Sequence, residues 1–169
     1  MGDMTLTGAI ALPDGTLIRG RGRREEFPSG PLPDYGLYLG RDPDAPRRFS
    51  LRSRQAWRPG WPSTWLDWPD FRVPRDNATA FAEIGRAYAR ARAGEQVEVA
   101  CVGGTGRTGT VIACMAVLAG CPGDEALAWT REHYRPRAVE TPGQRRWIGW
   151  FATRLDDGGE IEPGHASDV

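Results

Sequence analysis

Cys101-Val102-Gly103-Gly104-Thr105-Gly106-Arg107-Thr108 decides the fold. One thiol and one guanidinium stand on either side of five small, mostly glycine residues. Residues 95–100, apolar in alternation, read as a strand, and residues 108–119 read as a helix. Strand, tight loop and helix make a phosphate cradle, with backbone N–H groups of the loop and the helix N-terminus aimed at an anion. Gly103, Gly104 and Gly106 permit positive φ and close backbone approach, and Val102 and Thr105 complete the cradle. Arg107 can grip two phosphate oxygens with its planar fork. Cys101, in the same positive field, is the candidate thiolate nucleophile.

The composition narrows the setting. A chain of 169 residues suits one domain with a sizeable core. Its formal net charge is zero, so bulk charge argues for neither nucleic-acid nor membrane binding. All 22 basic residues are arginine, which with much Ala, Gly and Pro implies a GC-rich coding sequence, expected to be bacterial. Arginines in such a chain are weak pointers to anion binding. Three cysteines in apolar segments suit a reducing, cytoplasmic setting better than a disulfide framework. Cys114 and Cys121 read as small buried groups. No His/Asp cluster has metal-ligand spacing, so neither a metal nor any other cofactor is expected. No signal peptide is evident, and no apolar run reaches transmembrane length.

Along the chain, residues 5–12 and 16–19 flank Pro13-Asp14-Gly15, a hairpin signal, and residues 21–33 read as loop. Residues 42–60 are polar and proline-punctuated, with room for one short helix. Residues 63–67 read as a strand. Asn77 is the expected cap of a helix over 78–93 that ends at Gly94. A further helix is expected over 124–134, and Thr141 is expected to cap another that starts at Pro142. The expected whole is an α/β domain over 1–155, a short central sheet with helices on both sides. Residues 1–30 are expected as a hairpin-and-loop extension, and 156–169 as a flexible tail.

Two further stretches give the loop its context: Trp68-Pro69-Asp70 upstream, and Glu140-Thr141-Pro142-Gly143-Gln144 downstream. With the Cys101–Arg107 loop they resemble the cysteine-dependent protein tyrosine phosphatase superfamily, in its compact dual-specificity-like branch. The resemblance covers roughly residues 36–155. It implies a protein tyrosine phosphatase-like fold with the phosphate loop between a strand and a helix, and residues 36–40 as the first core strand. It implies hydrolysis of phosphotyrosine in proteins, and of phosphoserine or phosphothreonine, through a phosphocysteine intermediate. The implied partner is a phosphorylated protein or peptide, met by a monomer.

The resemblance also distributes roles. Asp70 would be the general acid, ahead of its neighbours Asp67 and Asp76. Gln144 would position the hydrolytic water. Thr108 would donate its hydroxyl to the Cys101 sulfur. Glu140 is a candidate brace for Arg107 or the loop, and His133 a weaker candidate base. Trp57 and Trp61 are candidate pocket walls beside a core role. One departure stands out: Ala100 occupies the position where the superfamily usually has histidine. It motivates a rival reading, a catalytically impaired phospho-binding module. Sulfur or arsenate chemistry on the same loop is a further rival, and Asp70 argues against it.

Overall fold

The computed structural model describes residues 4–45 and 57–159. In chain order its elements are β1 (Ile10–Ala11), β2 (Leu17–Gly22), β3 (Tyr35–Leu39), β4 (Ser63–Leu66), α1 (Asn77–Arg92), β5 (Val97–Cys101), α2 (Gly106–Leu118), α3 (Ala126–His133) and α4 (Pro142–Asp156). The sheet order is β1-β2-β5-β3-β4. β2, β5, β3 and β4 run parallel, while β1 pairs antiparallel with β2 across the Pro13-Asp14-Gly15 turn. Parallel strands bring their C-terminal ends to one rim, where such sheets bind ligands. Here that rim gathers Gly22, Cys101, Leu39 and Leu66.

The first core strand is β2, not residues 36–40. It lies beside β5 in register from Arg19↔Glu98 to Gly22↔Cys101, and residues 36–39 fall in the next strand, β3. The cause is electrostatic. Arg19 and Arg21 look like surface residues in the sequence, yet both are buried because a carboxylate lies opposite them. Glu98, fully buried in mid-strand, accepts from Arg19 Nε at 2.9 Å, Arg21 Nε at 3.0 Å, Arg21 Nη2 at 2.8 Å and the Tyr38 hydroxyl at 3.0 Å. Trp61 Nε1 donates to the same hydroxyl at 2.8 Å.

Period-two alternation separates the two faces of the sheet. Val97, Val99 and Cys101 turn into the apolar core with Ile18, Leu37 and Leu39, and α1 and α2 supply Phe81, Ile84, Val111 and Ile112. Glu98 and Ala100 turn the other way. The cover described on that face is aromatic: Phe27 and Trp57 flank Arg21, at 4.8 and 5.6 Å from its guanidinium carbon. The short helix expected within 42–60 falls mostly on residues 46–56, outside the described residues.

The helix ends follow local chemistry. Asp76, one residue before the expected cap, accepts from Thr79 N at 3.0 Å and starts α1. Asn77 instead accepts from Trp147 Nε1 at 2.9 Å and ties α1 to α4. Thr141 caps α4 with Pro142 in its first turn, as the sequence predicts. α2 begins at Gly106, two residues earlier than expected, which puts Arg107 in its first turn. α4 carries the chain to Asp156, and residues 160–169 of the expected tail lie outside the described residues.

Glu98→Ala should destabilise the fold by about 3–5 kcal/mol in urea unfolding, because it leaves two buried guanidinium groups without a counter-charge. Burial alone would raise the Glu98 carboxyl, but Arg21 and Arg19 outweigh it and hold the group below its usual value. Its contribution is therefore complete above the ordinary glutamate range and is lost as pH falls through the depressed folded value. An acid limb of stability in wild type that persists unchanged in Glu98→Gln would contradict this.

Candidate active site

The loop owes its shape to what holds its carbonyl groups. Cys101 O accepts from Arg23 N at 2.8 Å and Val102 O from Arg24 N at 3.2 Å. Gly103 O accepts from Arg135 Nη1 at 3.0 Å, and Gly104 O from the Tyr134 hydroxyl at 2.6 Å. Thr105 O accepts from Val139 N at 3.3 Å and Gly109 N at 3.1 Å. A trans peptide plane sets each C=O opposite the next N–H. Five carbonyls held this way leave the N–H groups of Val102, Gly103, Gly104, Thr105 and Gly106 on the opposite sides of their peptide planes. The thiol is buried: Cys101 is 2% exposed, and Gly104 N donates to its Sγ at 3.1 Å.

Glycine is required where this loop meets β2. Gly104 has φ +74°, and a Cβ there would fall on Gly22 N and lie 2.8 Å from Arg21 C. The reciprocal Cβ on Gly22 would lie 2.8 Å from Gly103 C. Strand and loop are seated backbone on backbone. Val139 holds φ 66°, a costly conformation for a β-branched residue, and its N–H is one of the pins. The second such residue among those described is Phe71, at φ 60°, directly after Asp70.

Arg107 is 5% exposed and locked from behind. Its Nη1 donates to Leu39 O at 3.2 Å and Trp68 O at 2.9 Å, which ties the ends of β3 and β4 to the loop. Its Nε is buried without a hydrogen-bond partner, a donor left for a ligand. Asp70, 59% exposed at its side chain, lies 3.3 Å from Arg107 Nη2. Asp67 lines the same cleft but pairs with Arg75 at 3.3 Å, while Asp76 caps α1. Of the three aspartates in this stretch, Asp70 alone reaches the loop's arginine. Beside it opens a cleft of about 620 Å³, whose lining includes Trp65, Asp67, Trp68, Asp70, Arg75 and Arg107.

Other candidates stand differently. Gln144 is fully buried; its Oε1 accepts from Glu140 N at 2.9 Å and its Nε2 donates to Arg72 O at 3.2 Å. It tethers the segment after Asp70 to the start of α4, and its amide is occupied by backbone partners. Thr108 is buried, and its Oγ1 has no hydrogen-bond partner, so the expected bond to Cys101 is not formed. The Glu140 carboxylate sits against Gly106 Cα, where a Cβ would collide with it. His133 is exposed, stacked on Trp129 at 4.6 Å between centroids, and is not brought to the loop. Trp57 and Trp61 pack with Tyr38 and Trp65 beneath the sheet rather than over the thiol. Tyr134, Arg135, Val139 and Arg23 went unforeseen, since nothing in their local sequence distinguishes them.

Comparison with known proteins bears on the family and the fold. Residues 62–145 match the family model described as Swiss Army Knife protein, DSP-PTPase phosphatase domain. The solved structure of Tk-PTP in its active form is 31% identical, with a TM-score of 0.56, over 72% of this chain and 80% of that one. Human DUSP28 shares the fold at 19% identity and a TM-score of 0.54, over 74% and 80% of the two chains. An uncharacterized protein of Methanocaldococcus jannaschii is 44% identical over 55 residues, which is 32% of this chain and 36% of that protein. The chain thus matches about a third of the length of that curated relative.

Gly104→Ala should leave the protein folded but abolish vanadate binding, since left-handed strain of about 1–2 kcal/mol and the clash with Gly22 must reshape the loop. Calorimetric titration with vanadate beside a thermal melt checks it; wild-type affinity would show that the loop tolerates a side chain there.

Proposed function

This chain belongs to the cysteine-dependent protein tyrosine phosphatase superfamily, and we propose that it hydrolyses phosphotyrosine in proteins, with phosphoserine and phosphothreonine as further substrates. The observation that carries this is the set of five pinned carbonyls around Cys101, closed by Arg107 with Asp70 at 3.3 Å. It supplies a nucleophile, an anion cradle and an acid in one place. The loop N–H groups and Arg107 hold three phosphoryl oxygens and balance charge that grows in the transition state. The Cys101 thiolate attacks phosphorus, an S–P bond forms and the P–O bond to the leaving group breaks. Asp70 gives its proton to the departing oxygen. It then takes a proton from water as that water attacks phosphorus, the S–P bond breaks and inorganic phosphate leaves.

In this reading Thr108, whose hydroxyl lacks a partner, becomes a donor to the sulfur as it leaves, and Gln144 acts on the water only after releasing a backbone partner. Residues 1–155 act as one phosphatase unit, as a monomer and without a cofactor, on a phosphorylated protein or peptide. No described helix is long and apolar enough to cross a membrane, and three free buried cysteines suit the cytoplasm. The rival, a phospho-binding module without turnover, draws on Ala100. The reach of Asp70 to Arg107 favours hydrolysis, because binding alone needs no acid there.

The purified protein should turn over p-nitrophenyl phosphate with EDTA present, and vanadate should stop it. Cys101→Ser should remove turnover altogether. Asp70→Asn should slow it by about 100- to 10,000-fold, and Asp67→Asn far less. Binding of vanadate by a wild-type protein that never turns over substrate would favour the rival, and the reverse ranking of the aspartates would move the acid to Asp67.

A further inference from the structure

The rim of the sheet carries a guanidinium that the mechanism above leaves unused. Arg23 follows β2 directly, and its own N–H holds Cys101 O at 2.8 Å, so its backbone is fixed to that of the nucleophile. Its side chain crosses the rim toward β3. Arg23 Nη2 and Arg107 Nη1 lie 3.3 and 3.5 Å from one and the same point, the site a Cβ on Gly40 would occupy. The guanidinium carbon sits 5.0 Å from the centre of the Trp65 ring, which fixes its depth.

Arg23 shares this face with Ala100, and the small side chain there matters. Ala100 pairs with Arg21 on one side and Tyr38 on the other, and Trp65 pairs with Tyr38. A larger residue at position 100 would project into the face that Arg23 crosses on its way to Trp65.

What Arg23 lacks is a counter-charge. Arg19 and Arg21 share Glu98, Arg107 has Asp70, and Arg135 has Glu25. No carboxylate among the described residues pairs with Arg23, and its Nε is buried with no hydrogen-bond partner. Two neighbouring guanidinium groups, one of them without an anion, are unfavourable in a half-buried setting. Burial first, and then the charge of Arg107, hold the Arg23 group below its usual value, while the charge of Cys101 offsets part of that. Arginine stays protonated all the same.

We propose that Arg23 is a second cation of the catalytic centre, whose missing counter-charge is the anion that the loop holds: the Cys101 sulfur once ionised, and the bound phosphoryl group during turnover. It is a positioning residue: its N–H holds the Cys101 carbonyl and its charge acts on the anion through space. The inference rests on the phosphatase reading for its second half only. The other ionisable groups around Arg23 and the loop are Arg21 and Tyr38 on the same sheet face, Glu25 just after β2 and paired with Arg135, Arg107 on α2, Asp70 before α1, Tyr134 and Arg135 after α3, and Glu140 before α4. Tyr134 is kept neutral by burial and donates to Gly104 O.

The test compares the full chain with Arg23→Gln, Arg23→Met and Arg23→Lys. Alkylation of Cys101 by iodoacetamide is followed by mass spectrometry from pH 5.5 to 9, and vanadate binding by calorimetry. The two neutral variants should lose about tenfold or more in alkylation rate at pH 6, reach the wild-type rate at pH 9, and bind vanadate about tenfold more weakly. Arg23→Lys should keep both within about threefold, because it keeps the charge. Arg23→Met keeps an apolar stem against Trp65, so it separates charge from packing. Neutral variants that match wild type in both measurements would overturn the proposal. So would a lysine variant as impaired as the neutral ones, which would make the contact with Trp65 the whole role. Alkylation needs no substrate; a wild type without phosphatase turnover would therefore defeat the functional reading while this arm still judged Arg23.

Discussion

Five consecutive carbonyl oxygens, each held by a donor outside the loop, are the constraint on which this site depends. Peptide planarity sets each N–H opposite its carbonyl, so the loop takes its shape from the groups that hold its carbonyls. Those groups come from distant elements: the backbone after β2, the residues after α3, and Val139 before α4. The sheet order places them. β5 lies between β2 and β3, so its C-terminal end, and Cys101 with it, has a neighbour on each side. Arg107 joins the remaining rim by holding the carbonyls of Leu39 and Trp68.

The sheet below divides its labour by face. The helical side is an ordinary apolar core, with Leu37, Val99 and Ile112 fully buried. The other side stores charge, with Glu98 set between two arginines and closed over by aromatic rings. A buried carboxylate of this kind gives little net stability against an apolar substitute, but it fixes register, because a one-residue slip of β2 would remove both partners at once. Register matters here: it sets Gly22 level with Cys101.

The loop itself was legible because its pattern is local. Cys101, Arg107, the glycines and Trp68-Pro69-Asp70 carry their meaning in adjacent residues, and the structure brings Asp70 to Arg107 as that reading requires. Thr141 and Pro142 were equally plain as a helix start. What the sequence hid was long-range pairing. The start of β2 was legible as a hairpin strand, but its run to Gly22 and its place beside β5 were obscured because arginines in alternation look solvated until Glu98 is placed opposite them. The carbonyl pins were obscured because a tyrosine hydroxyl or a valine N–H has no sequence signature. The partners of Gln144 were equally hidden: its amide engages Glu140 N and Arg72 O, which lie far apart in sequence from each other.

The backbone contact between Gly22 and Gly103–Gly104 has a consequence for how such sites vary among related chains. Neither glycine can gain a side chain while the other segment stays where it is. The two positions therefore form one unit of variation spread over widely separated parts of the chain. A search for chains built this way should ask for both at once: the cysteine–arginine loop, and a glycine closing an upstream strand that otherwise looks too charged to be buried. A chain with the loop but a bulky residue at the second position must seat its cradle on something else, however well the loop itself matches.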